Sequence, residues 1–207
     1  MTLRVAVGGF GAIGKVVADA LDRGIEGLSL SAVSARDTAR AEVAMTGFTK
    51  PVPVLPLGLL WEEADVVVEC APAKHLRDLA EPALAHGRIV ITLSCGALLD
   101  NFDLAELARR QGGRILVPTG ALMGLDAVQA AALALAGVGP DRTMIDIWAD
   151  PAVDRNIHRI EVEADAARFS MQIENVPSLE NPRTGRLTAL SVIALLRKLT
   201  SPLAIGT

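Results

Sequence analysis

The chain has 207 residues, of which 51% are hydrophobic, 21% charged and only 3% aromatic, with no Tyr. That length allows one to two domains with a sizeable core, and the composition excludes a disordered or acidic-tail protein. A net charge of −4 and a pI of about 5.4 leave no basic footprint for nucleic acid. Leu3–Gly8 is a Val-rich run suited to a buried strand. Gly9-Phe10-Gly11-Ala12-Ile13-Gly14 follows, and Lys15–Leu21 reads as a helix. The spacing then predicts a strand at Leu28–Val33 and a helix at Ala39–Met45. Val52–Leu55 is expected as a short strand between Pro51, Pro53 and Pro56, and Asp65–Cys70 as a buried one. His75–His86 reads as a helix ending at Gly87, and Arg88–Leu93 as a strand. Asp103–Arg110 is a helix stopped by Gly112-Gly113, with a strand at Arg114–Val117. This alternation is that of βαβ units around a parallel sheet.

After residue 120 the pattern changes. A long helix is expected at about 121–136, then strands at Met144–Trp148, Ile160–Ala164 and Phe169–Ile173 without helices between them. The last two are close enough to form an antiparallel hairpin with one apolar face. A helix at about 188–199 follows, with Thr188 as its N-cap and Ser201-Pro202 ending it. Residues 120–138 are nearly apolar and close to bilayer-spanning length. Asp126 and Gln129 interrupt them and no basic cluster flanks them, so a buried helix is expected and no membrane partner. The start, MTLRVAVGGFG, does not read as a signal peptide. Cys70 and Cys95 make no disulfide framework, which fits a reducing compartment and a cytoplasmic setting.

Gly9, Gly11 and Gly14 make a G-x-G-x-x-G pattern between a strand and a helix, the context a dinucleotide fingerprint requires. Gly9 suits the tight turn, Gly11 the approach of a pyrophosphate, and Gly14 close helix–strand packing. With Phe10, Ala12 and Ile13 they form the expected cofactor-binding turn of a Rossmann domain. An acidic residue that would bind the adenosine ribose is expected about 20 residues on. That position is Ser34, followed by Arg36 and Asp37. A small hydroxyl with a nearby Arg accommodates a 2′-phosphate. NADP is therefore expected to be accepted, alongside NAD; a solvated Arg36 is the alternative.

Asp150-Pro151 ends one strand, and Asn156-Ile157-His158 precedes the next. His158 is expected on a loop between elements, where functional residues concentrate. It is the candidate base, since neutral imidazole accepts protons near physiological pH. On the residues alone, an ordinary loop His remains open. Asn156 orients His158 or a substrate, or simply forms a turn. His75 and His86 read as surface or helix-end residues, and Cys70 and Cys95 as apolar packing. Arg155, Arg159 and Arg183 are available to hold carboxylates, or are ordinary surface residues. No metal-ligating constellation is expected.

The runs GGFGAIG, SCGALLDNFDLAELAR, VPTGALMGLDA, DPAVDRNIHRIEV and IENVPSLENPRTGRLTALSVIALLRKL together resemble the L-aspartate dehydrogenase family. They span nearly the whole chain in the family's order. The resemblance implies a two-domain Rossmann oxidoreductase that oxidises L-aspartate to iminoaspartate with NAD or NADP. Iminoaspartate then hydrolyses to oxaloacetate and ammonia or feeds quinolinate and NAD synthesis. It implies His158 as the active-site His and Ala121 as a cofactor-contacting residue. Family members carry a further segment that is missing here between Gln129 and Ala130, which would leave the substrate sheet a strand short with exposed edges. A dinucleotide-binding protein impaired in turnover, or a related two-domain amino-acid or imine dehydrogenase, is the alternative. The expected fold class is α/β. Residues 1–120 form a doubly wound parallel sheet completed by 188–207, and 121–187 form a smaller α+β substrate domain. The apolar sheet face of that domain points to a homodimer.

Overall fold

A computed structural model of the chain describes residues 2–118, 142, 144, 152, 156–163, 168–176 and 186–202. The first unit is a five-stranded parallel sheet of β1 (Leu3–Gly8), β2 (Leu28–Ser34), β3 (Val66–Glu69), β4 (Ile89–Thr92) and β5 (Arg114–Leu116), in spatial order β2-β1-β3-β4-β5. The central strands β1, β3 and β4 are mostly apolar because both faces are covered. On one face Val5, Val7, Val33, Val66, Val68 and Ile91 pack against α1 (Ala12–Asp22). On the other, Ala6, Ala32, Val67 and Val90 meet α3 (Leu76–Ala85) and α5 (Asp103–Gln111). Among the described residues this unit also has α2 (Thr38–Met45), α4 (Cys95–Asp100) and two 3-10 turns, Leu57–Glu62 and Ala73–His75.

α6 (Arg186–Thr200) lies far along the chain yet belongs to the first of these cores. Val192, Ile193 and Leu196 are buried with Val17, Ala18 and Leu21 of α1. Thr200 Oγ1 donates to the Glu26 carbonyl at 2.7 Å and ties the helix end to the turn before β2. Residue 188 is the third residue of this helix, so the expected N-cap role of Thr188 is corrected; its carbonyl accepts from Ser191 Oγ instead.

Two further expectations need correction. Val52–Leu55 is not a strand: it touches β2 through one parallel bridge, Val33 to Val54. The Val33 N–H donates to the Pro53 carbonyl and Leu55 N–H to the Val33 carbonyl. Pro51, Pro53 and Pro56 lack the N–H groups that would lengthen the ladder. The hairpin strands are longer than expected, β6 (Asn156–Glu163) and β7 (Arg168–Asn175), paired antiparallel along eight positions. His158 is therefore a strand residue in register with Ile173, not a loop residue. Polar Arg159 and Glu161 alternate with Ile160 and Val162, whereas Asn156, Ile157 and His158 break the period and join the strand through pairing with β7. The helix expected at 121–136 and the strand expected at Met144–Trp148 lie outside the described residues, Met144 excepted.

Candidate functional site

In a sheet of order 2-1-3-4-5 the chain leaves β1 in one direction and reaches β3 in the other. Ligands of such sheets bind at the carboxyl ends of the strands where the order reverses, here β1 and β3. The glycine motif sits at that place. Gly9 has φ +109°, and its N–H donates to the Ser34 carbonyl at 3.0 Å, joining the turn to the end of β2. A Cβ at Gly9 would lie 2.6 Å from the Cys70 carbonyl, so only glycine permits this approach to the chain after β3. A Cβ at Gly14 would lie 1.8 Å from the Gly9 oxygen. Gly11 is different: a Cβ there would meet nothing within 4 Å.

Gly11 is also the N-cap of α1, and no side chain caps that helix. The first N–H groups of a helix have no intrahelical acceptor, and with the helix dipole they favour an anion. The open volume above Gly11 and the uncapped N–H groups of Ala12, Ile13 and Gly14 fit a dinucleotide pyrophosphate. The side chains of this turn face inward. Phe10 packs on Phe48 with ring centroids 6.2 Å apart, and Ile13 joins the core beneath α1. Phe10 and Ile13 therefore offer a ligand their backbone.

Ser34 ends β2 and is 4% exposed, with its carbonyl taken by Gly9. Arg36 is exposed two residues further on. Asp37, the acidic residue nearest the ribose position, is engaged in capping α2: its carboxylate accepts the Arg40 N–H at 3.0 Å.

Sequence reasoning does not single out one further site residue. Glu69 ends β3 beside Gly8 and is fully buried. Its Oε2 accepts from Thr92 Oγ1, Leu93 N–H and Ser94 N–H, each at 3.0 Å, and its Oε1 accepts from Ser94 Oγ at 3.1 Å. The signal that points to it is a carboxylate closing the run Val66-Val67-Val68, since glutamate is almost never fully buried unless partnered. Burial pushes this carboxyl above its ordinary value of 4.5, against the pull of the four donors. The folded chain then binds more protons than the unfolded one between the two values. The stability from this group is complete below 4.5 and is lost as pH rises through the raised value. The urea midpoint of the wild type relative to Glu69→Gln should accordingly fall as pH is raised above 4.5; a pH-independent gap would contradict the raised carboxyl.

Burial also raises the thiols, Cys70 well above its usual range and Cys95 up to about 11. Neither is a thiolate at neutral pH, as expected of packing residues. His75 bonds Asp78 at 2.9 Å, and His86 stacks on Trp61 at the end of α3. Arg159 pairs with Glu161 on β6 and is 65% exposed at its side chain. Gly9–Gly14 and Ser34 are thus brought together, while His158 and Asn156 stand on the separate two-stranded sheet. Ala121, Arg155, Arg183 and the junction Gln129–Ala130 lie outside the described residues.

Two family models match the chain: a homoserine dehydrogenase NAD-binding domain over residues 9–118 and an aspartate dehydrogenase C-terminal domain over 129–199. The L-aspartate dehydrogenase of Bradyrhizobium diazoefficiens is 48% identical over 266 residues, covering 99% of this chain and 94% of that protein. L-aspartate dehydrogenase 3 of Bordetella bronchiseptica is 43% identical, covering 99% of this chain and 98% of that protein. The alignment to the first is longer than the 207 residues of this chain, so dozens of positions are filled in the relative alone. The crystal structure of aspartate dehydrogenase from Thermotoga maritima has the same fold, with a TM-score of 0.69 at 18% identity and full coverage of both chains.

Proposed function

The chain belongs to the L-aspartate dehydrogenase family, and from that premise we propose that it oxidises L-aspartate to iminoaspartate with NAD or NADP. The carrying observation is the 48% identity to an L-aspartate dehydrogenase along 99% of this chain. The glycine cradle at the sheet's switch point fits the cofactor, which when bound supplies the hydride acceptor. His158 is the proposed base, taking a proton from the substrate ammonium as the α-carbon is oxidised. Asn156, two residues before it on β6, orients His158 or the substrate. Gly9, Gly11 and Gly14 shape the cradle, Phe10, Ala12 and Ile13 present backbone to it, and Ala121 contacts the cofactor. Iminoaspartate hydrolyses to oxaloacetate and ammonia or supplies quinolinate and NAD synthesis. Purified protein should reduce NAD or NADP with L-aspartate and not with L-alanine, L-glutamate or homoserine. Equal rates with all four would remove the substrate assignment.

Ser34 and Arg36 support acceptance of NADP alongside NAD, since Asp37, the acidic residue that follows them, is engaged in capping α2. Arg36→Ala should raise KM for NADP about tenfold, the loss of one charge-assisted contact, with KM for NAD unchanged. Equal KM values for NADP in variant and wild type would sink the role of Arg36. We place two domains in the chain, 1–120 with 188–207 and 121–187; the packing of α6 on α1 supports the first. The proposed setting is the cytoplasm, where free Cys70 and Cys95 stay reduced. The proposed assembly is a homodimer through the hairpin sheet, supported by half-exposed Met171 on its apolar side. Gel filtration with light scattering should give twice the chain mass, and a monomer would end that proposal.

A second reading, a dinucleotide-binding protein impaired in turnover, draws support from the positions filled only in the relative. Cofactor binding without aspartate oxidation is its signature.

A further inference from the structure

Glu69 is buried in an apolar sheet, yet none of its side-chain hydrogen bonds goes to its own strand. All four donors belong to the end of β4 and the turn into α4: Thr92, Leu93 and Ser94. Two of them are consecutive backbone amides on one oxygen, which fixes the orientation of the Leu93–Ser94 peptide. The register sets Glu69 between Gly8 of β1 and Thr92 of β4. On its β1 side, the chain just after it, Cys70–Ala71, is pressed against Gly9. The carboxylate therefore ties β3, the strand paired with β1 and its glycine turn, to the β4–α4 turn.

That turn lies on one particular side of the cradle. Ser34 and Arg36, at the adenosine end, are at the edge strand β2. A dinucleotide held by its pyrophosphate at α1 extends its other end across β3 and β4. An apolar side chain at position 69 would spare the desolvation of a charge but leave these four donors without their acceptor. The desolvated carboxylate is offset by those bonds, and all of them fix one turn.

We infer that Glu69 is a positioning residue that holds the Leu93–Cys95 turn in the form met by the nicotinamide end of the dinucleotide. The inference rests on the dinucleotide reading and deepens it. Replacement by glutamine turns an acceptor atom into a donor that faces donors. With the glutamine oxygen kept on the three donors of Oε2, its NH2 group faces Ser94 Oγ, and that part-buried hydroxyl loses its acceptor along with the charge that strengthened the other three bonds.

The experiment is calorimetric titration of the full chain with NADH and with ADP-ribose, which lacks the nicotinamide. Glu69→Gln should weaken NADH about tenfold, the effect of losing one hydrogen bond to a charged group, and leave ADP-ribose unchanged. Thr92→Val, which removes one bond to Glu69 from a residue 1% exposed, should weaken NADH in the same selective way but less. It carries the test if the Glu69 variant does not fold. Unchanged NADH binding in the variants overturns the inference, as does equal loss of both ligands, which marks general scaffolding. Wild-type protein that binds neither ligand overturns the dinucleotide reading itself.

Discussion

Replacing His158 by alanine is expected to lower turnover with L-aspartate by about 10²–10⁴-fold, the usual contribution of a positioned acid–base group. NADH affinity and the unfolding midpoint should stay at wild-type values. Oxidation at the α-carbon requires the ammonium to shed a proton, because the imine can only form from the neutral amine. Water is a poor acceptor for that proton near pH 7, and imidazole is a good one. His158 stands on β6 within the span matched by the aspartate dehydrogenase C-terminal model. Turnover retained in the variant would make His158 an ordinary strand residue and move the base elsewhere.

The second large effect belongs to Gly14. A methyl group there would overlap the Gly9 carbonyl oxygen at 1.8 Å. Backbone cannot rotate away as a side chain can, so the turn must open or α1 must shift off the sheet. Overpacking of this kind costs about 3 kcal/mol. Gly14→Ala should lower the unfolding midpoint and weaken NADH roughly a hundredfold, if that distortion falls wholly on the cradle. Gly11→Ala is the contrasting variant. Its Cβ enters open space, so folding should be unaffected while NADH binding falls, because the added methyl occupies the approach to the pyrophosphate. If Gly11→Ala binds NADH as the wild type does, the ligand does not approach over Gly11.

Much of the first unit is legible in the amino-acid sequence. Leu3–Gly8 is a strand at the expected bounds because a Val-rich run meets a glycine turn, two signals that agree. The parallel sheet follows from the same alternation of short apolar runs and helices. Other features depend on tertiary contacts. Val52–Leu55 has strand-like residues, but three prolines leave it one bridge to β2. His158 reads as a loop residue because Asp150-Pro151 and Asn156 are turn formers; pairing with β7 pulls it into the ladder. α4 is six residues long and contains Gly96, too short and weak to announce itself. Glu69 shows in the sequence only as a carboxylate closing an apolar run, because its partners lie more than twenty residues away. Local pattern carries no record of such a long-range convergence.

Turnover by this chain is expected to move a hydride from the α-carbon of L-aspartate to a nicotinamide. Incubation of the purified protein with L-aspartate deuterated at the α-carbon, and NAD or NADP, tests it directly by mass spectrometry of the reduced cofactor. One deuterium per reduced cofactor is expected, formed one to one with oxaloacetate after hydrolysis. Bound cofactor that is never reduced, or reduced cofactor without deuterium, would contradict it.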